Sequence, residues 1–427
     1  MFDEEKGRVT LYGWVQSVRD LGKIIFVSIR DIKGVYQVTV TKDTPASIVE
    51  KARGLRDESL VKVIGRKNNN EKVAGGYEII PEELDVMTSA EQPVPLNLNK
   101  NVVSSLDKEL DYRFLSLRRQ NISAIFKIES TVTNSIGRFF EKEGFYSIHS
   151  SKIVSQATEG GANVFPVIYF DKTAYLAQSP QFYKQMMMAA GFEKVFEIGP
   201  VFRAEPHHTT RHLTEYTSVD IEMSFIKSYE EIMRVMEGMM VNIYSDVMKD
   251  NKPELKLLGI TLKVPKTPFP QVSVREAQKI LATYGKTSKE GEDLDPEGER
   301  IIGKHVEDTT GSQFFFLTRF PWEVAQFYHM RDDKDKSVTY RADLIFKGLE
   351  ITTLAQREHR YDVLVSQAKD KGLDPEKFRF YLDFFRYGVP PHGGSGTGLE
   401  RIVKQMLNLE NVAEATLLPR TPDRLVP

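Results

Sequence analysis

The chain contains no cysteine. That excludes a disulfide scaffold, a cysteine zinc site and a thiol nucleophile. Nor is there a surplus of either charge: 58 Lys and Arg stand against 60 Asp and Glu, a formal net charge of −2 over 427 residues. A generic polyanion binder would carry a large positive balance, whereas a local basic face for one nucleic acid stays open. No apolar run approaches the roughly 20 residues of a membrane span, so no membrane partner is expected. Residues Met1 to Arg8 are charged and lack an apolar stretch. No secretory signal is legible there, and a soluble, cytoplasmic protein is expected. Internal repeats and low-complexity segments are also lacking. What remains is 41% hydrophobic and 28% charged, an ordinary globular composition long enough for two or three domains.

Residues 8–90 read as short strands separated by turns. Val9–Val18, Lys23–Arg30, Val35–Thr41, Leu60–Arg66 and Tyr77–Val86 are rich in Val, Ile, Phe and Tyr. Asp31-Ile32-Lys33-Gly34 is a turn signal, and Pro45–Leu55 reads as one interposed helix. Five strands and a helix fit a small Greek-key barrel of the OB type, or another small β-domain. Residues 91–120 change character: Pro93 and Pro95 precede a polar stretch with Arg113, Arg118 and Arg119. This reads as a connector, either solvated or touching something anionic.

A long helix follows, with Asn121 as its cap and Ile125, Ile128, Val132, Ile136 and Phe139 at helical spacing up to a stop near Gly144. A second helix is expected from Ser228, with Glu231 completing a capping box and methionines facing the core. Strand patterns lie at 164–177, 195–204, 216–226, 313–318, 338–346 and 349–356. A last helix begins near Gly398. Strands in hairpins with helices grouped around them predict an α+β fold on an antiparallel sheet. Lys286–Arg300 reads as a charged loop without a legible role.

Four stretches could carry chemistry. Val201–Glu205, a polar loop to Arg211-His212, and Tyr216–Glu222 form a hairpin pattern. Alternation puts Arg203 with Glu205 on one face, and Tyr216, Ser218, Asp220 and Glu222 on another. Arg beside an aromatic ring suits a nucleoside triphosphate, although a salt-bridged hairpin explains the same residues. His207, His208 and His212 suit a solvated or phosphate-contacting loop rather than a metal. Asp343 and Glu350 flank apolar residues, where burial without a partner is costly. Magnesium held by carboxylates and substrate phosphates would fit, as would a buried ion pair. Alternation alone does not bring Glu350 and Arg357 to one face; that needs a bend. Ser179-Pro180 starts a helix on which Gln181 and Lys184 share a face. His392–Arg401 is a glycine-rich loop leading into a helix, permitting close backbone approach and favouring an anion.

Together these stretches resemble the class II aminoacyl-tRNA synthetases, in the subgroup for aspartate, asparagine and lysine. "FFEKEGFYSIHSSKI" is similar to their motif 1, "FRAE" with "RHLTEYTSVDIEM" to motif 2, and "GGSGTGLER" to motif 3. "QSPQFYKQ" is similar to the aspartate members, and the resemblance to their archaeal and eukaryotic type runs essentially end to end. It implies an OB-fold anticodon-binding domain at 1–95, a hinge at 96–120, and at 121–427 a class II catalytic domain: an antiparallel sheet flanked by helices. The implied activity is that of an aspartate–tRNA ligase, using ATP and Mg2+, with L-aspartate and tRNA-Asp as substrates. A homodimer is implied through motif 1.

The resemblance also carries roles. Arg203 would grip the α-phosphate and the substrate carboxylate and, with Arg401, stabilise the reacting charge. Glu205 would contact adenine between Tyr216 and Arg401. Arg211 and His212 would meet the distal phosphates, with Ala204, Leu213, Gly398, Leu399 and Glu400 completing the ATP site. Asp343, Glu350 and Thr353 would hold magnesium. Lys184 and Arg357 would pair with the aspartate side-chain carboxylate. Asp220, Gln181 and Glu159, the last in "ATEGGAN", would attract the amino group, beside Phe182, Tyr183 and Thr353. In the barrel, Phe26 would stack on an anticodon base, while Arg19, Gln37 and Glu78 would read bases or backbone.

Several positions depart from the family pattern. Ser151 stands for Pro, Leu354 for Gly, Thr353 for Ser, Ser395 for an aromatic residue and Thr397 for an apolar one. Gln16 and Ala74 stand where members specific for tRNA-Asp carry Trp and Lys. Relaxed recognition of tRNA-Asn is therefore an open reading, and with it a partner tRNA-dependent amidotransferase. The asparagine and lysine enzymes, an amide-forming relative and a catalytically silent paralogue are the competing readings. Lys184 and Arg357 favour an acidic substrate, the N-terminal barrel disfavours the amide-forming relative, and the presence of Arg203, Glu350 and Arg401 disfavours the silent paralogue.

Overall fold

The computed structural model describes all residues except 1, 6, 74, 99–103, 156–162, 207–208, 288 and 290. The chain divides into two compact units, Met1–Ala124 (joined by Pro427) and Ile125–Val426.

In the first unit, strands β1 (Phe2–Glu5), β2 (Arg8–Asp20), β3 (Ile25–Arg30) and β4 (Val35–Val40) precede helix α1 (Ala46–Arg53). Strands β5 (Leu60–Asn69) and β6 (Tyr77–Thr88) follow. The sheet order is β1-β2-β3-β4-β6-β5, and β2 also pairs with β5, so five strands close into a barrel. Alternate residues point inward: Val9, Leu11 and Val15 on β2, Ile25, Val27 and Ile29 on β3, and Val61 and Val63 on β5 are buried. This is the expected OB-type barrel with its interposed helix. The charged strand β1 was not legible, because Asp3, Glu4 and Glu5 lie exposed on an edge.

The connector packs on this barrel. Leu96, Leu98 and Leu115 form a small buried cluster alongside helices α2 (Leu106–Asp111) and α3 (Arg113–Ser116). Two of its arginines do meet anions, but intramolecular ones: Arg118 bonds Glu58 at 2.8 Å and lies over the Trp14 ring, and Arg119 bonds Glu109. Arg30 takes the same Glu58 carboxylate at 2.7 Å.

Helix α4 (Gln120–Lys142) opens the larger part of the chain. Asn121 lies within it rather than capping it. Strands β7 (Tyr146–Ser147), β8 (Ile153–Val154), β9 (Pro166–Tyr169) and β10 (Lys172–Leu176) lead to helix α5 (Gln181–Ala189). Then come the hairpin β11 (Lys194–Phe202) and β12 (Glu215–Ser224), helices α6 (Glu230–Asp250) and α7 (Lys252–Leu258), β13 (Gln271–Ser273), α8 (Val274–Thr283) and α9 (Pro296–Thr310). The chain finishes through β14 (Phe314–Thr318), β15 (Arg341–Phe346), β16 (Leu349–Gln356), α10 (Tyr361–Asp370), α11 (Arg379–Phe385), β17 (His392–Gly398) and α12 (Leu399–Met406). Eight strands form one sheet in the order β13-β14-β15-β16-β17-β12-β11-β7, antiparallel except at its two ends. Helices α4, α6 and α12 pack on one face through Ile128, Val132, Ile136, Met236, Met239, Met240, Ile402 and Val403.

Three further local expectations are corrected. The capping box at Ser228 does not form: α6 starts at Glu230, and the Glu231 carboxylate instead accepts the Lys227 N–H at 2.7 Å. The glycine-rich stretch at 392–398 is a central strand rather than a loop, since glycine lets it lie flat against its neighbours. A Cβ on Gly394 would fall 2.0 Å from the Ile221 carbonyl and 2.2 Å from the Glu222 carboxylate. The charged loop at 286–300 becomes helix from Pro296, with Asp295 capping the Gly298 N–H.

Candidate active site

The other face of the eight-stranded sheet carries a cavity of about 320 Å³. Its floor comes from β12, β16 and β17, and its walls from α5, the β11–β12 loop and the start of α12. Among the described residues six cationic side chains line it, Lys184, Arg203, Arg211, Arg341, Arg357 and Arg401, against four carboxylates, Glu205, Asp220, Glu350 and Glu400. Such a balance favours an anionic ligand.

One end is a buried ion-pair quartet. Lys184 from α5 bonds Asp220 at 2.7 Å and the Ser395 carbonyl at 2.8 Å, and approaches Glu222 at 3.8 Å. Arg357 meets Glu222 through Nε at 3.0 Å and Nη2 at 3.4 Å. Alternation along β12 aligns Ser218, Asp220 and Glu222, and Ser218 donates to Asp220. The three-residue helical step from Gln181 to Lys184 on α5 turns both into the cavity. Two buried cations thus arrive already paired, which is what makes their burial tolerable.

The other end holds Arg203, Glu205, Arg211, His212, Tyr216, Glu350 and Arg401. Arg203 follows β11 rather than lying within it; its N–H bonds the Thr214 carbonyl at 2.8 Å, and its guanidinium lies 5.6 Å from the Tyr216 ring centre. Arg211 is engaged by Glu299 of α9 at 2.9 Å. Arg401 bonds the Glu350 carbonyl at 2.9 Å and its carboxylate at 3.5 Å. Burial pushes the Glu350 carboxyl up, but Arg401, Arg341, Arg211 and Arg203 together hold it below its ordinary value. Burial and then Arg401 lower His212, so its imidazole is largely neutral at pH 7.

The bend that alternation could not supply is a β-bulge. Between β15 and β16 the register steps from Leu344↔Thr352 to Ile345↔Glu350, so Ile351 is one residue extra. Glu350 and Arg357 are seven apart, and the bulge consumes one step, which returns both to the cavity face. Thr353 joins them, donating to Glu350 at 3.3 Å, and stands opposite Asp343. Asp343 itself does not line the cavity and is paired with Arg341 at 2.7 Å. Its carboxyl is pushed up to about 7 by burial, against the pull of Arg341. The two carboxylates and one hydroxyl are hard oxygen donors of the kind magnesium takes. Glu350 and Thr353 fit that role as they stand, whereas Asp343 would have to part from Arg341.

Of the other expected residues, Leu213, Gly398 and Glu400 line the cavity. Phe182 and Leu399 do not: Phe182 is buried against Tyr381, with ring centres 4.1 Å apart, and Leu399 belongs to the core beneath the sheet. Ala204 and Tyr183 also lie off the cavity wall. Glu159 and Ala74 fall outside the described residues. Sequence reasoning missed Arg341, His329 and Glu299. Arg341 could have been found from its two-residue spacing to Asp343, which shares a strand face. Glu299 lay in the unread charged stretch, and nothing in sequence signalled His329.

On the barrel, Arg19 and Phe26 are cross-strand partners, as are Phe26 and Thr39, and Gln37 and Ser28. Gln37 and Thr39 both bond Glu78, so the four expected anticodon residues form one patch. Burial raises the Glu78 carboxyl, yet hydrogen bonds from Thr39, Asn70, Asn68 and Gln37 bring it below its usual range. Gln16 is the extra residue of a bulge between Val15 and Ser17.

Residues 105–422 match the family described as tRNA synthetases class II (D, K and N), and residues 9–87 match the OB-fold nucleic acid binding domain. The chain belongs to the class II tRNA synthetases of the D, K and N group. It is 48% identical over 99% of its length, and 96% of the relative's, to the aspartate–tRNA(Asp/Asn) ligase of Aeropyrum pernix. It is 47% identical, over 98% of its length and 96% of the relative's, to the aspartate–tRNA(Asp) ligase of Pyrococcus abyssi. A crystal structure of the Pyrococcus horikoshii asparaginyl-tRNA synthetase complexed with asparaginyl-adenylate superimposes with a TM-score of 0.92 at 34% identity, covering 98% of this chain and 96% of that one. Among the described residues no helix of this synthetase is long and apolar enough to cross a membrane.

Proposed function

We propose that this synthetase activates L-aspartate with ATP and transfers it to the 3′ end of tRNA-Asp, and of tRNA-Asn as well. The observation that carries the aspartate reading is the pairing of Lys184 and Arg357 with Asp220 and Glu222 at one end of a cationic cavity. An aspartate side-chain carboxylate entering there meets a Lys and an Arg held in place. An asparagine amide would bring no charge and would turn N–H donors on those cations, the kind of mismatch that discriminates strongly. Asp220 and Gln181 take the amino group.

The opposite end takes ATP. Tyr216 and Arg401 flank adenine, Glu205 contacts it, and Arg203 holds the α-phosphate. Arg211 and His212 meet the distal phosphates. The aspartate α-carboxylate attacks the α-phosphorus as the bond to pyrophosphate breaks. The terminal ribose hydroxyl of the tRNA then attacks the acyl carbonyl and AMP leaves. No protein nucleophile is needed. Arg203 and Arg401 orient the reactants and hold the charge that develops on the phosphate. Glu350 and Thr353, with Asp343 once released from Arg341, would hold magnesium, which would supply further charge neutralisation at the phosphates.

The barrel patch around Phe26 binds the anticodon, with residues 96–120 as the hinge to the catalytic part. Gln16, in its bulge, supports the broader tRNA reading, which implies a tRNA-dependent amidotransferase downstream. The protein works in the cytoplasm as a homodimer. Charging assays with ATP, magnesium and labelled aspartate on separate tRNA-Asp and tRNA-Asn transcripts test this. Charging of both is expected. Charging of tRNA-Asp alone would remove tRNA-Asn from the reading, and failure of aspartate-dependent pyrophosphate exchange would remove aspartate itself.

A further inference from the structure

Behind the cavity wall runs a chain of hydrogen bonds with a single possible polarity. The Pro390 carbonyl can only accept, so His392 Nδ1, 2.8 Å away, carries the proton and donates to it. In the neutral ring Nε2 must then accept, and it takes the Gln185 amide nitrogen at 2.9 Å. That turns the Gln185 carbonyl oxygen the other way, where it accepts from Tyr381 Oη at 2.9 Å and from Gln181 Nε2 at 2.9 Å. One N–H of Gln181 is thereby committed to Gln185, which turns the Gln181 nitrogen to that side and leaves its carbonyl oxygen for the cavity it lines. His392, Gln185 and Tyr381 are all fully buried, so no solvent competes for these bonds. Burial also pulls the His392 ring down to about 4, which keeps it neutral at working pH.

We propose that His392, acting through Gln185, is a positioning residue for amino-acid recognition: it fixes Gln181 with its carbonyl oxygen toward the cavity, so that a substrate ammonium is accepted there and an amide-flipped Gln181 is excluded. The inference rests on the reading of Gln181 and Asp220 as the ammonium site. Nothing in the chain touches substrate except Gln181, so neither His392 nor Gln185 is a catalytic residue.

The test compares two ligands that differ only in the amino group, L-aspartate and succinate, by calorimetric titration of the full-length protein. In His392→Leu, affinity for aspartate should fall about tenfold, the factor for one misplaced hydrogen bond to a charged group. Affinity for succinate and the KM for ATP should not move. Gln185→Met should reproduce that selective loss if the leucine variant folds poorly. Gln185→Glu should retain aspartate affinity, because its carboxyl group still accepts from Gln181. Equal losses for aspartate and succinate, or no loss for either, would overturn the relay. A wild-type protein that binds aspartate no better than succinate would instead overturn the ammonium site on which it rests.

Discussion

Leu354 on β16 and Ser395 on β17 are direct cross-strand partners, and both are fully buried. The family pattern has Gly at the first position and an aromatic residue at the second. Here the bulk has changed strands, so two apparent departures form one exchange. Neither side chain lines the cavity: Leu354 packs in the core beneath the sheet, and the Ser395 hydroxyl meets the Met236 sulfur at 3.4 Å. Thr397 is matched in the same way, bonding Thr352 across the strands at 2.7 Å. Leu354→Gly should cost about 3–5 kcal/mol through the cavity it leaves, and Ser395→Phe about 1–3 kcal/mol through overpacking. The double variant should recover most of both losses in a denaturation cycle. Simple additivity would show that the two positions are independent.

Glu222 is completely buried and is the partner that neutralises Arg357. Glu222→Gln should destabilise the protein by about 3–5 kcal/mol, since a buried guanidinium is left without its counter-charge. Urea unfolding measures this, and pyrophosphate exchange should show a raised KM for aspartate alongside it.

Arg211 is held by Glu299, an acid that the distal phosphates of ATP would have to displace under the proposed binding mode. Glu299→Gln weakens the competing partner. A fall of about threefold or more in the KM for ATP is expected in pyrophosphate exchange, because a ligand gains affinity when the state it must leave is destabilised. An unchanged KM would mean that Arg211 stays with Glu299 when ATP binds.

Glu400 is pushed up to about 7 by burial, against the hydrogen bond it accepts from the Thr217 N–H at 2.9 Å. In the unfolded chain it titrates near 4.5. Between these values the folded state holds a proton that the unfolded state has lost. Its contribution to stability therefore falls as pH rises from about 4.5 to about 7, by on the order of 3 kcal/mol. Glu400→Gln, which copies the protonated acid, should remove that share of the slope in unfolding measured against pH, leaving the shares of Asp343 and His392.

Phe26 lies half-buried on the barrel between Arg19 and Thr39. Phe26→Ala should raise the KM for tRNA about tenfold or more, the value of one stacked base. Aspartate-dependent pyrophosphate exchange, which needs no tRNA, should be unaffected. A parallel loss in both assays would place Phe26 in the fold rather than in the interface.

Local patterns sufficed for the barrel strands, the long amphipathic helices and the β11–β12 hairpin, because alternation and helical spacing are written residue by residue. Motif strings likewise sufficed to bring Arg203, Lys184, Asp220 and Arg401 to attention. What sequence left undecided depended on strands far apart in the chain. The bulge at Ile351 that reunites Glu350 with Arg357 follows from register against β15. The strand character of 392–398, whose glycines have no strand propensity, follows from close approach to β12 and β16. The pairing of Arg211 with Glu299, of Leu354 with Ser395 and of Gln181 with Gln185 and His392 is of the same kind. Which polar group satisfies which, and which volume fills which gap, is a property of neighbours in space, and only the folded sheet makes them neighbours.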